Sequence, residues 1–500
     1  MKYRHHKTHF AIAVSCAITS ISVLLSPIAA QAVHLSQTGL GQVLIFPYYT
    51  VRTTFNNNSY TTLLSIVNAS DDTKALKVRF LEGQRGAQVM DFNLFLAPRD
   101  TWTGAVASTA GGAALLTNDN SCITPLDLFT AGKKNEFSNK AYASESINSL
   151  DRSREGYIEV VEMGVVTDPL LVSYLTPTAA GAPTNCTQIS ILDPANPQPA
   201  TKFPGTYFAA PTGGLSGRAV IVNANAGASY GIDAVALEQW SDKVQYTGIG
   251  SDGPLLGVAS PAVSTVMTSA GAVTATWSNG RDAVSAALMR SAINNEYGLD
   301  AGTLSQTDWL ITAPTKREHV PAGVGSAIPP FSNLGPSFTG GTCDSYTSDI
   351  RDREGHTVSP PPPVLITLPM PRPPSSGEGF CSSASIIPFQ TLSSLLASQQ
   401  LNFPVPYILS FATSATTIGG ATTNLPGVQG PNGWLQMAFT RDPLPKLTPL
   451  SATRNGIKLL TGTHYGLPVI AFSFQNFNKA GVVSQYGIVH QAKYNTKIDP

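Results

Sequence analysis

The chain has 500 residues, with 31 Lys and Arg against 31 Asp and Glu, so its formal net charge is zero. Charged residues make up 12% of it and hydrophobic ones 42%, against roughly 25% charged in an ordinary domain. This balance excludes recognition of nucleic acid or of an anionic membrane by bulk charge, leaves a polar surface of Ser, Thr, Asn and Gln, and favours association.

The first segment reads as an export signal. MKYRHHKTH is a basic opening, FAIAVSCAITSISVLLSPIA is an apolar run, and Ala30-Gln31-Ala32 fits the small-x-small cleavage rule. Residues 1–32 are thus expected to be removed, Cys16 with them, and Val33 to begin the mature chain. A retained anchor is the competing reading. No later segment reaches the ~20 unbroken apolar residues of a spanning helix. No transmembrane helix is therefore expected after cleavage, and the expected location is the periplasm, the outer surface or the medium.

Residues 39–52 (GLGQVLIFPYYTVR) open the β-structure, with Pro47 marking an edge or bulge. Strand-like runs follow at 61–70, 75–83, 88–98 and 101–108, separated by turn residues. In 75–83, Leu76, Val78 and Phe80 face one way while Lys77 and Arg79 face the other. Phe92, Leu94 and Leu96 likewise share a face. Strands at this spacing predict an immunoglobulin-like β-sandwich over 33–125. The remainder, 126–500, is predicted to be a larger β-rich domain with a minor helical component.

Between 109 and 156 the rhythm is lost, and 137–150 carries a weak helical pattern. Strands resume at 156–166, and 217–240 reads as a hairpin about Asn-Ala-Gly-Ala. The best helix is 281–297, where Val284, Leu288 and Ala292 recur at near-helical spacing and Gly298 provides the stop. A strand at 307–313 puts Thr307, Trp309, Ile311 and Ala313 on one face and Asp308, Leu310 and Thr312 on the other. Pro314 ends it. Lys316, Arg317, Glu318 and His319 then form a solvated exit loop, with Asp308 pairing to Arg317 or Lys316, or capping a turn. The stretch 359–374 (SPPPPVLITLPMPRPP) is polyproline-like, either a stiff surface loop or a tether for an aromatic groove. Strands return at 433–440, 467–477 and 483–494, the last two as a closing hairpin.

Four cysteines follow the signal: Cys122, Cys186, Cys343 and Cys381. An even number in an exported chain predicts two disulfides. Three pairings are open. The sequential one, Cys122–Cys186 with Cys343–Cys381, is favoured because each pair brackets a loop-rich stretch, the second a Pro-rich insert at 343–381. Each closure contributes about 4 kcal/mol on a chain-entropy account. Zinc is the rival reading, but no CxxC spacing supports it.

No His-Glu-x-x-His, Gly-x-Ser-x-Gly or phosphate-binding Gly-rich motif is present, and in GGLSG (213–217) Ser216 is displaced by one position. The histidines after the signal, His34, His319, His356, His464 and His490, stand apart in sequence. Glu159 and Glu162 are three apart, which in a strand puts them on opposite faces and denies them a shared substrate. Asp233 and Glu238, five apart, fail likewise. Aromatic FPYYTVRTTF fits sugar stacking but fits core packing better. The clusters at 118–121 (NDNS) and 68–72 (NASDD) lack the alternating oxygen ligands of a calcium loop. RSREG (152–156) and RDREG (351–355) form a weak echo, with Arg and Glu pairing at a turn before a strand. No catalytic residue, metal site or cofactor is predicted.

The segments GQVLIFPYYTVR, LLSIVNAS, VRFLEGQRG, DFNLFLAPRDTWTGAV, GYIEVVEMG and TDWLITAPTK together resemble a family of exported proteins of Gram-negative bacteria, some labelled surface proteins. The resemblance runs through most of the mature chain. It implies export and one shared architecture, and it brings no activity, cofactor or site residue. The expected function is a non-enzymatic surface or periplasmic structural protein of adhesion type, partnered by itself or by another envelope or surface component. The alternative is a carbohydrate-binding or carbohydrate-cleaving exported protein. An outer-membrane barrel is a third reading, weakened by the terminal NTKIDP, which has no closing aromatic.

Overall fold

Strand Glu155–Val166 is the axis of the fold. It pairs antiparallel with Val43–Thr50 on one side and with Lys74–Glu82 on the other. The sheet so begun has eight strands, running from His34–Leu35 and Val235–Glu238 through these three to Gln88–Leu96 and Cys122–Thr124, with Phe208–Ala209 added to the axis strand. Gly156 stands where a Cβ would lie 1.9 Å from the carbonyl oxygen of Leu81, so a larger residue would hold the strands apart. The pairing with Val43–Thr50 shifts register opposite Pro47, which is the expected bulge.

A computed structural model describes residues 31–54, 59–126, 128, 135–145, 147–192, 207–248, 251–300, 303–321, 327–332, 342–357, 379–389, 395–399, 417–418, 421–422, 432–439, 444–478 and 485–500. Residues 1–30 of the expected signal and the proline-rich 359–374 lie outside them. The described chain is mainly β, in several sheets. Among the described residues no helix is long and apolar enough to cross a membrane.

A six-stranded sheet packs on one face of the first. Its order is Ala228–Asp233, Leu215–Asn223, Thr61–Asn68, Thr101–Ser108, Ala113–Leu116, Asn135–Glu136. Leu76, Val78, Phe80, Ile158 and Val160 of one sheet meet Leu64, Ile66, Trp102 and Leu215 of the other. Both sheets therefore draw strands from either side of residue 125, so a division there separates the axis strand from both neighbours. Residues 31–500 hold together as one unit.

The opposite face of the eight-stranded sheet is covered as well. Val43, Ile45, Tyr48 and Val161 pack with Leu310, Ile386, Phe472 and Phe474, and with Ala283, Val284 and Leu288 of helix Gly280–Leu288. The first four of these partners belong to a sheet ordered Ala384–Pro388, Gln306–Thr312, Ile470–Asn478, Gln485–Gln491. Covered on both sides, the three central strands of the large sheet are buried along their whole length. The covering sheet has its own second core. There Trp309, Ile311, Ile387 and Phe389 meet Ile293, Tyr297, Leu435 and Met437.

Most expected strands appear within two residues of their predicted limits: Thr61–Asn68, Lys74–Glu82, Gln88–Leu96, Thr101–Ser108 and Gln306–Thr312; the closing hairpin of Ile470–Asn478 with Gln485–Gln491 is within three. The helix expected over 281–297 is cut short. It ends at Leu288, and Met289–Arg290 and Ala292–Gly298 are strands. An offset of four is even, so Ile293 and Tyr297 share a face in a strand as they would in a helix. Among the described residues the pattern at 137–150 yields only the 3-10 turn Lys140–Tyr142 and the start of Leu150–Arg154.

Both disulfides have the sequential pairing, Cys122–Cys186 and Cys343–Cys381. The zinc reading falls, since all four thiols are bonded to one another.

Candidate functional site

Strict alternation places Lys77 and Arg79 on the face of strand Lys74–Glu82 that points away from the Trp102 cluster. Glu155, Tyr157 and Glu159 share that face on the axis strand. Because protein covers it, ionisable groups come to lie between two layers. A buried charge is tolerable only with partners for its hydrogen-bonding atoms; here most of those atoms have them, while Glu159 Oε1 and Arg317 Nη1 have none among the described residues.

Arg79 and Glu159 are directly opposite across the strand pair, with Nη1 3.1 Å from Oε2. The same guanidinium donates to the carbonyls of Pro254 and Asp252 and, through Nε, to Gln88. Lys77 donates to Asp91 at 3.0 Å; burial lowers its pKa and Asp91 opposes the shift. Glu155 accepts four hydrogen bonds: from Arg52 Nε (2.8 Å), Tyr48 OH (2.7 Å), Ser398 Oγ (2.6 Å) and the Gln399 amide (3.0 Å). Arg152 joins Glu82 (3.0 Å) and Glu145 (2.7 Å) beside the Tyr142 ring. Asp308 accepts from the amides of Leu395 and Leu396.

Glu318 reaches the same seam from the other layer. Its carboxylate accepts from the Gly257 amide at 3.0 Å. Burial first, and the nearby Glu159 second, push its pKa up to about 7.

The expected exit loop after Pro314 is therefore not solvated. Lys316–His319 is a short helical turn in which Lys316 and His319 are buried. The reason is the covering layer, which the local pattern does not encode. Asp308 makes no pair with Lys316 or Arg317; of its expected roles, capping a turn holds. His319 Nε2 lies 2.8 Å from Ser285 Oγ, which also donates to Thr315. Such a contact is the minimum of a nucleophile and its base. Both side chains are fully buried, and burial, then Arg281, lower the imidazole pKa to about 3. The pair joins the helix to the turn.

Glu159 and Glu162 do sit on opposite faces: Glu159 meets Arg79, and Glu162 meets Lys74 at 2.8 Å. Asp233 pairs with Arg218, and Glu238 with His34, so those two carboxylates are not brought together. His356 contacts Asp352, and buried His464 packs on Trp277. The two Arg-x-Arg-Glu-Gly units differ: the first runs from a 3-10 turn into the axis strand, the second from the end of strand Thr347–Asp352 into a turn. They are not structural repeats.

A surface cleft of about 330 Å³ includes one sequence cluster. Asp100, Thr103, Asn118, Asp119, Asn120 and Pro183 are among its walls. Asp119 is already engaged, accepting from the Ser121 amide and hydroxyl and from the Thr103 amide. In 68–72, Asn68 holds a turn and Asp71 pairs with Arg99 at 2.9 Å. Among the described residues no group of three or more His, Cys, Asp or Glu is placed to hold a metal.

No protein-family model, curated protein or solved structure matches the chain.

Two outcomes are expected. Arg79→Met strands Glu159 as a buried charge beside Glu318 and lowers stability by about 3–5 kcal/mol, read by urea unfolding; adding Glu159→Leu recovers most of the loss. The second concerns pH. The folded protein holds the Glu318 proton above the usual value of 4.5, up to about 7. This contribution to stability is full below 4.5 and falls as pH rises through 7. Stability curves measured from pH 4 to 8 (roughly the span of the two values) lose that downward component in Glu318→Gln.

Proposed function

We propose that the protein is an exported, non-enzymatic structural component of the cell envelope, of surface or periplasmic adhesion type, acting with copies of itself or with another envelope component. One observation carries the reading. Most ionisable groups of the described interior are engaged by one another, by polar side chains and by backbone, as with the four donors on Glu155, and they tie layers together. The two disulfides support export. So does the resemblance to exported Gram-negative proteins. Self-association is supported by apolar side chains left outside on and around the hairpin of Ser451–Arg454 with Ile457–Lys458. Leu450, Ile457 and Leu460 are 73%, 73% and 92% exposed.

Fractionation is expected to place the protein with the envelope, and sedimentation to show oligomers. Replacing Leu450, Ile457 and Leu460 by Ser is expected to weaken assembly at unchanged melting temperature. A monomeric, freely periplasmic species overturns the proposal.

A second reading rests on the cleft between Asp100 and Pro183, whose walls are polar. It suits a hydrophilic ligand of the glycan class. On a glycan array, binding that disappears in Asn118→Ala and Asn120→Ala would select it; a blank array removes it.

A further inference from the structure

We propose that Lys316 and Asp344 become joined by an intramolecular isopeptide bond, Nζ to Cγ, formed with loss of one water after the chain has folded. Such a crosslink goes beyond the envelope role and does not depend on it.

The two side chains meet in the interior, at 4% and 0% exposure, with Nζ 3.7 Å from Oδ2. That is longer than the ~2.8 Å of a settled ammonium–carboxylate hydrogen bond. Lys316 Nζ instead donates to the carbonyls of Thr342 (2.8 Å) and Phe380 (3.2 Å). The two carboxyl oxygens are treated differently. Oδ1 accepts from both the amide and the hydroxyl of Ser332, at 2.7 and 2.9 Å. Oδ2 faces the amine and, among the described residues, receives no hydrogen bond. Two donors on one oxygen, and an amine within 3.7 Å of the other, supply two of the elements that acyl transfer uses.

The surroundings shift both reactants toward their neutral forms. The Phe331 and Phe380 rings lie 5.4 and 5.2 Å from Nζ. Burial lowers the Lys316 pKa to about 8 and raises that of Asp344. A free amine is the nucleophile, and a protonated carboxyl is the better acyl donor. Folding supplies the proximity that a reaction in solution lacks.

The step balances without oxidant or cofactor. The Nζ lone pair attacks Cγ, and the developing charge on Oδ1 is held by Ser332. One amine proton passes to the Oδ2 hydroxyl, the Cγ–Oδ2 bond breaks, and water leaves. The remaining proton stays on the amide nitrogen. The bond ties the turn after strand Gln306–Thr312 to the residue next to Cys343.

The test is the mass of the purified, disulfide-reduced full chain, with its termini established by peptide mapping. The expected mass is one water below that of the sequence, with a branched peptide joining the Lys316 and Asp344 segments. Lys316→Arg and Asp344→Ala restore the full mass, and Ser332→Ala leaves conversion incomplete. Wild-type protein of full mass yielding only linear peptides overturns the proposal and leaves an ion pair. A water loss mapped to other residues overturns it equally.

Discussion

The cross-strand contact of Arg79 with Glu159 is the constraint around which the layers are arranged. It exists because the eight-stranded sheet is sandwiched on both faces, so the charged side of an amphipathic strand has no water to meet. Once charges are enclosed, each needs a partner. The partners come from distant parts of the chain: Pro254 for Arg79, Ser398 and Gln399 for Glu155, Leu395 and Leu396 for Asp308. An enclosed ion pair is a weak net source of stability but a severe penalty when one member is missing. Its main effect is on which arrangements are permitted. A covering layer shifted by one residue would leave Glu155 or Asp308 with unanswered oxygens.

Much of this was legible locally. The alternation of Leu76, Val78 and Phe80 with Lys77 and Arg79 describes the strand correctly, and the loop-rich stretches between successive cysteines favour, among three open pairings, the one observed. What the alternation does not reveal is what lies opposite the polar side. A strand with one wet face and a strand with one face against a second protein layer read alike, because both alternate. For that reason Lys316 and His319 pass for solvent residues in sequence yet are buried. Val284, Leu288 and Ala292 mislead differently, because even spacings satisfy helix and strand together.

The sites follow the same division. Local reasoning separates Glu159 from Glu162 correctly, because strand geometry is a property of neighbours. It cannot find the meeting of Ser285 with His319, or of Lys316 with Asp344, since each depends on how elements stack. A run of four polar residues in a chain of low charge density was the available signal. Its meaning lay in the far layer.

Glu155 and the Gln399 amide are 244 positions apart. A chain delivered from its N-terminus must hold the axis strand ready while more than half its length is still to arrive. Contacts so remote in sequence form late and slowly. Until they form, Lys77, Arg79, Glu155 and Glu159 are hydrated, and they give the unfinished sheet a charged exterior on the side where its cover is missing. An apolar surface there would invite unfinished copies to stick to one another. The residues that lock the completed molecule thus also act, earlier, as its built-in solubiliser.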